Sequence, residues 1–168
     1  VVFNGEIYNY RELRKQLEDK GHHFRTKSDT ETLVHLYEEH GRDLVRHLRG
    51  MFAFALWDRR ARQLLLARDH LGQKPLYYSL DGDRLLFGSE IKAILAYGEV
   101  ARDIDPQALE DYLAFGFIPG RKSIFSSVRK LEPATTLVIR NNSWETSEVR
   151  YWSLEGEPID DRSEAAWR

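Results

Sequence analysis

Apolar residues recur at helical spacing early in the chain. Tyr10, Leu13 and Leu17 lie three and four residues apart, so they share one face of a helix predicted over 9–20. Gly21 follows directly, and glycine is the residue that most often ends a helix. The pattern therefore predicts an amphipathic helix that buries one face.

Capping signals predict three further helices. Ser28, with Glu31 three residues later, has the pattern of a capping box and predicts a helix that ends near Gly41. A serine cap also opens the helix predicted over Ser89–Tyr97. A proline in the first turn opens the helix predicted over Pro106–Ala114.

Other segments have the hydrophobicity of β-strands. Met51–Trp57 is apolar at nearly every position, as expected of a strand that is covered on both faces. A polar turn separates it from a second strand at Gln63–Ala67. Leu76–Leu80 and Leu85–Gly88 flank Asp81-Gly82, which predicts a hairpin.

The order of these elements indicates the fold class. Further strands are predicted at Val1–Phe3, Thr135–Arg140 and Trp144–Trp152, the last two joined by a turn at 141–143. Strands and helices do not alternate regularly, so the pattern favours an α+β or layered αββα architecture over a doubly wound sheet. The 168 residues suit one domain, and the polar tail Glu155–Arg168 resembles a linker.

Composition narrows the function classes. Net charge is −2 with mixed signs along the chain, and no apolar run approaches 20 residues, so we expect neither a nucleic-acid partner nor a membrane span. The chain has no cysteine, which excludes disulfides, zinc–thiolate sites and thiol chemistry within it. A cysteine-free chain fits a reducing compartment, and we expect a cytoplasmic location.

Asn4-Gly5-Glu6 is the first candidate site. On spacing alone, Asn-Gly after an apolar run is the commonest signal of a tight hairpin turn. A helix begins soon afterwards, however, and leaves little room for a partner strand. A glycine at a strand end also lets a substrate approach the backbone, where its N–H can face a developing oxyanion.

Other polar residues have simpler interpretations. Asp29, in the first turn of a predicted helix, opposes the helix dipole, or alternatively holds a ligand's amine. The six histidines predict no metal site, because His35 and His40 lie on different helix faces and His22-His23 resembles a solvated turn. Arg68-Asp69-His70 resembles a turn network, and no glycine-rich phosphate loop occurs.

Five stretches together resemble, in order, segments of the glutamine-hydrolysing asparagine synthetases. They are FNGEIYNYRELRKQL (Phe3–Leu17), KSDTETLVHLYEEHG (Lys27–Gly41), LRGMFAFALWD (Leu48–Asp58), RDHLGQKPLYY (Arg68–Tyr78) and FGSEIKAIL (Phe87–Leu95). The resemblance extends over residues 1–152, and we expect a linker to a synthetase domain over 153–168.

The resemblance implies a class II glutamine amidotransferase domain with the four-layer αββα sandwich of N-terminal-nucleophile hydrolases. In this family an N-terminal cysteine attacks the glutamine amide, and the released ammonia converts ATP-activated aspartate to asparagine in a second domain. Asn4 and Gly5 match the family's oxyanion-hole pair. Glu6 and Asp29 match positions that hold the α-amino group of glutamine.

The chain departs from the family pattern in what it lacks. The cysteine and the arginine segment for the glutamine carboxylate would precede Val1, so the sandwich is expected to be incomplete at its N-terminus. The pyrophosphate loop would follow Arg168, so ATP and Mg²⁺ are expected in the synthetase domain, with no cofactor in this one. The implied partners are glutamine and that synthetase domain, with a homodimer as a candidate assembly.

Two alternatives remain open at the sequence level. Some relatives keep this domain as a catalytically silent scaffold, and others deliver ammonia to a different acceptor. Retention of Asn4, Gly5, Glu6 and Asp29 favours a working site, because a scaffold needs no carboxylates for an amine.

Overall fold

Two antiparallel sheets form the framework of the protein. The computed structural model describes residues 1–141 and 143–154. In the described residues the five-stranded sheet has the order β1-β2-β3-β7-β8 and the three-stranded sheet has the order β5-β4-β6. The strands are β1 (Val2–Ile7), β2 (Gly50–Asp58), β3 (Gln63–Arg68), β4 (Tyr77–Asp81), β5 (Arg84–Gly88), β6 (Arg129–Lys130), β7 (Thr135–Arg140) and β8 (Thr146–Arg150).

The helices follow the predicted order. They are α1 (Tyr10–Asp19), α2 (Asp29–His40), α3 (Ile91–Leu95) and α4 (Pro106–Phe115), with a 3-10 segment at Gly41–His47. In the part of the chain that the structure describes, no helix has the length and apolarity needed to cross a membrane.

Strand β2 shows how the layers are built. Its phenylalanines Phe52 and Phe54 point to the side covered by α1 and α2, where they join Leu13 in a buried cluster. The intervening Ala53 and Ala55 face the opposite side and pack in a second cluster between the two sheets. Because side chains alternate along a strand, a run that is apolar at nearly every position is buried on both faces. With α3 against β5, the layers are those of an αββα sandwich, as predicted.

The start of α2 is capped differently from the prediction. Ser28 is the N-cap, and its hydroxyl accepts the N–H of Thr30 at 3.1 Å. Glu31 does not return to Ser28, so the capping box is wrong. Its carboxylate instead accepts the N–H groups of Arg25 (2.8 Å) and Thr26 (2.7 Å). These hydrogen bonds lower the pKa of Glu31 to about 2; the bond from the Arg25 N–H has the largest effect, and the bond from the Thr26 hydroxyl has the next largest.

Helix α4 confirms the predicted proline in its first turn, and the structure adds a cap at each end that the sequence analysis did not predict. The Asp105 carboxylate accepts the N–H groups of Gln107 and Ala108, and Pro106 occupies the first turn. The helix ends at Gly116, which has a left-handed φ of 76°.

Several predicted boundaries need correction. Ser89 is not a cap: α3 begins two residues later, after Glu90, and ends at Leu95. Strand β8 occupies only the middle of the predicted Trp144–Trp152 segment. The linker at 153–168 lies outside the described residues from 155 onward, as does Asn142 in the predicted turn.

The segment after β3 is the predicted turn network. The Asp69 carboxylate is buried and accepts four backbone N–H groups, at 2.9–3.1 Å, from Phe52, Leu71, Gln73 and Lys74. The Arg68 guanidinium donates to the carbonyls of Gly72, Lys74 and Leu131. Both side chains are therefore committed to the backbone of the fold.

Candidate active site

Three of the four predicted site residues lie on an edge strand. Asn4-Gly5 is not a turn: both residues lie within β1, with Asn4 opposite Ala53 and Gly5 opposite Phe52 in β2. Asn4 and Glu6 are exposed and share one face of β1, while Ile7 on the other face is buried beneath the helices. The turn interpretation fails because the partner strand comes much later in the chain.

Close approach of β1 and β2 requires glycine at two positions. A Cβ on Gly5 would lie 2.1 Å from the carbonyl oxygen of Met51, and one on Gly50 would lie 2.1 Å from that of Glu6. Both glycines have φ values, 153° and 152°, that side chains rarely adopt. Any side chain at Gly5 would therefore push the two strands apart.

The N–H of Gly5 points toward the open edge of the sheet. Phe52 lies directly opposite Gly5 in β2, and both its backbone polar groups point away from β1. The Phe52 N–H donates to the Asp69 carboxylate, and the Phe52 carbonyl oxygen accepts the Asp69 N–H. Gly5 and Phe52 are therefore a non-hydrogen-bonded pair of the antiparallel ladder. In such a pair each residue directs its N–H away from the other strand, so the Gly5 N–H points away from β2. Among the described strands none lies beyond β1, so the Gly5 N–H faces a surface where a ligand can bind.

The Asn4 side chain is held in place from the smaller sheet. Its Nδ2 donates to the hydroxyl of Ser89, just after β5, at 3.0 Å. A side-chain amide carries two N–H groups, so one remains for a ligand. Asn4 and the adjacent Gly5 thus offer a side-chain donor and a backbone donor, which is the composition of an oxyanion hole.

Asp29 joins helix α2 to the same edge. As the first residue of α2, it accepts the N–H of Ile7 with Oδ2 at 3.0 Å. The carboxylate thus contacts the residue that follows Glu6 in β1. A carboxylate has about four acceptor positions, so Asp29 can bind an ammonium while it keeps this bond. Asp29 therefore has a structural contact that neither sequence interpretation included.

Sequence reasoning missed Ser89 as a site residue. The hydrogen bond between Asn4 and Ser89 joins positions 85 residues apart, and no local pattern marks it. The sequence analysis interpreted Ser89 as a helix cap because serine is common at that position, but the N-cap of α3 is Glu90.

The fold and the site define a class of protein. The chain belongs to the glutamine amidotransferase domain family, which matches residues 1–152. Its fold resembles that of the glutamine phosphoribosylpyrophosphate amidotransferase of Bacillus subtilis, with a TM-score of 0.61 over 92% of this chain and 29% of that chain, at 24% identity. The predicted sandwich and the predicted family are both confirmed.

Within this family the chain is similar to asparagine synthetases. It is 42% identical to glutamine-hydrolysing asparagine synthetase 3 of Bacillus subtilis, over 96% of this chain and 26% of the relative. Identity to asparagine synthetase 1 of the same organism is 43%, over 83% of this chain and 22% of the relative. The chain spans about a quarter of the length of these curated relatives.

Proposed function

We propose that this domain hydrolyses glutamine within an ATP-dependent asparagine synthetase, and that Asn4, Gly5, Glu6 and Asp29 form part of its glutamine site. The observation that carries the proposal is the paired donor arrangement at the open edge of β1. The Gly5 N–H points outward there, and Ser89 holds the neighbouring Asn4 amide. Asp29 contacts the same edge through Ile7.

The proposed chemistry begins with a cysteine thiolate attacking the side-chain amide carbon of glutamine. The chain itself contains no cysteine, so the proposal takes the nucleophile from outside these residues. Negative charge then develops on the amide oxygen, where the Gly5 N–H and the Asn4 Nδ2–H donate to it. The α-amino group of the cysteine takes the thiol proton and passes it to the amide nitrogen. The C–N bond then breaks, ammonia leaves and a thioester acyl-enzyme remains, which water hydrolyses to glutamate and the free thiol.

The two carboxylates bind rather than react. Glu6 and Asp29 bracket the α-ammonium of glutamine, which carries its charge before and throughout the reaction. Their contribution is therefore substrate binding, whereas the donors at Asn4 and Gly5 act as charge develops.

Ammonia is consumed in a synthetase domain of the same polypeptide, where aspartate is activated with ATP and Mg²⁺; this chain contains no glycine-rich phosphate loop. We propose a homodimer in the cytoplasm as the working form, which sedimentation equilibrium and cell fractionation of the complete gene product can test.

Isotope transfer in the complete gene product tests the function. With amide-¹⁵N glutamine, aspartate and ATP–Mg²⁺, we expect ¹⁵N in the side chain of asparagine. Asparagine formed from ammonium but not from glutamine would indicate a silent scaffold. Glutamate release without asparagine would indicate another acceptor.

A further inference from the structure

Two histidines that are distant in sequence face each other beside α2. His22 follows α1, and His35 lies in the middle of α2, yet their Nδ1 atoms are 3.1 Å apart. Each side chain is only 15% exposed. Phe24 packs edge-on against the His35 ring at 4.5 Å between centroids, which fixes that ring from another side. The sequence interpretation of His22 as part of a solvated turn is therefore wrong.

Glu38 brings a third ligand atom to the same point. Its Oε2 lies 2.9 Å from Nδ1 of His35 and 3.4 Å from Nδ1 of His22. The three atoms form a triangle with sides of 2.9, 3.1 and 3.4 Å. Zinc–nitrogen and zinc–oxygen bonds are about 2.0–2.2 Å, so adjacent ligand atoms in a tetrahedral or octahedral site lie about 2.9–3.5 Å apart. An ion about 1 Å above this triangle would reach all three atoms at bonding distance.

The outer nitrogens of both rings face carboxylates. Nε2 of His22 lies 3.1 Å from Oε1 of Glu39, and Nε2 of His35 lies 3.8 Å from Oε1 of Glu31. A carboxylate at the outer nitrogen keeps the proton there, which leaves the Nδ1 lone pair for a metal ion. Glu39 thus gives His22 the carboxylate partner that histidine metal ligands usually have, whereas Glu31 lies beyond hydrogen-bonding distance of His35.

The outer carboxylates are themselves fixed. Lys20 Nζ bonds Oε2 of Glu39 at 2.6 Å. The carboxylate of Glu31 is held by the N–H groups of Arg25 and Thr26, two residues that precede helix α2. The group contains three carboxylates against a single ammonium, with two imidazoles between them. The charge balance thus favours a divalent cation over an anion.

We propose that His22, His35 and Glu38 bind a divalent transition-metal ion of the Zn²⁺, Co²⁺ and Ni²⁺ class, with solvent completing its coordination. Imidazole and carboxylate ligands suit these ions, whereas Mg²⁺ and Ca²⁺ prefer sites built only from oxygen. The ion would join the segment after α1 to helix α2. It is a structural site, separate from the glutamine site and independent of the proposed function.

Metal titration of the complete gene product, after treatment with a chelator, tests the site. Because a longer gene product can also bind metal elsewhere, the comparison is between matched variants. We expect His35→Gln and His22→Gln to bind one equivalent of Zn²⁺ fewer than the wild type in calorimetry. The control His23→Gln, at the exposed neighbouring position, should retain the full stoichiometry. Equal stoichiometry in all four proteins, with unchanged circular dichroism, would overturn the proposal.

Two further measurements keep the proposal testable if a variant folds poorly. Glu39→Gln, which leaves the three ligands intact, should weaken Zn²⁺ binding by about 10–100-fold. In the wild type, the ¹⁵N resonances of Nδ1 in His22 and His35 should shift on addition of Zn²⁺, while those of His23 stay in place. Unshifted Nδ1 resonances would mean that the two rings simply share a hydrogen bond.

Discussion

At the scale of single residues, the proposed site includes a position where a backbone constraint coincides with the proposed chemical role. Gly5 is required by the 2.1 Å approach to Met51, and its N–H is also an outward donor. The sequence identified Gly5 as a candidate donor, but its local context favoured a turn. In the structure Gly5 lies in a strand and pairs with Phe52 of β2. Phe52 is far along the chain, so no local sequence signal could have predicted this pairing.

We predict that Gly5→Ala destabilises the protein by about 2–4 kcal/mol, because overpacking against backbone cannot be relieved by moving a side chain. Urea unfolding at neutral pH measures the change. Gly82→Ala is the matched control, since Gly82 also has a positive φ, 57°, but meets nothing within 4 Å. Gly82→Ala should cost about 1–2 kcal/mol, the usual cost of a left-handed backbone for a residue with a Cβ. Equal costs at both positions would contradict the close approach.

Asp69 is a residue of another kind, because its carboxylate bonds only backbone N–H groups and has no place in the proposed glutamine site. Its carboxylate accepts four N–H groups and is fully buried. Asp69→Asn replaces one acceptor oxygen with a donor that opposes these N–H groups. We expect a loss of about 3 kcal/mol in unfolding free energy. Asp83→Asn, in the exposed β4–β5 turn, should change stability by less than about 0.5 kcal/mol. A similar small change for Asp69→Asn would contradict the network.

At the scale of elements, the sequence predicted what depends on local signals. The amphipathic spacing of α1, the proline in the first turn of α4 and the continuous apolar run of β2 all gave the correct element. The two-residue strand β6 was missed because it is defined only by its pairing with β4. The His22–His35 contact was missed for the same reason, since it depends on how the segment after α1 folds onto α2.

The turn between β2 and β3 gives a pH-dependent prediction. Hydrogen bonds from the backbone N–H of Ala61, then from the Tyr37 hydroxyl and the Arg60 N–H, lower the pKa of Asp58. A lowered folded-state pKa adds stability that is present above the unfolded pKa and is lost as pH falls through the folded value. We expect Asp58→Asn to be less stable than wild type at pH 7, with the gap narrowing below about pH 4. Urea midpoints across this range measure it, and a gap independent of pH would contradict the assignment.

At the scale of the whole molecule, an unpaired sheet edge and a group of apolar side chains are exposed among the described residues. Strand β1 lies at a sheet edge, and α4 with its following loop exposes large apolar side chains at Leu109, Tyr112, Leu113, Phe115 and Phe117. The family and the fold class followed from five ordered motifs in the sequence. The arrangement of these surfaces could not be predicted, because it depends on which elements pack together.

We predict that the isolated 168-residue chain self-associates through these surfaces. Light scattering during gel filtration should show a mass above that of the monomer, rising with concentration. The double change Leu113→Ser with Phe117→Ser should shift the protein toward monomer. Leu71→Ser, which removes an exposed leucine elsewhere, should not. A concentration-independent monomer in the unaltered chain would contradict the prediction.

The central claim is that the edge of β1 stabilises charge on glutamine, and Asn4→Ala in the complete gene product tests it most directly. We expect glutamine-dependent kcat to fall by about 10²–10³-fold, the usual loss for one oxyanion donor. Glu6→Ala and Asp29→Asn should mainly raise KM for glutamine; the asparagine at 29 keeps an acceptor for the Ile7 N–H. Ammonium-dependent synthesis should survive all three changes. A change in KM alone for Asn4→Ala, or loss of the ammonium-dependent reaction, would contradict the account.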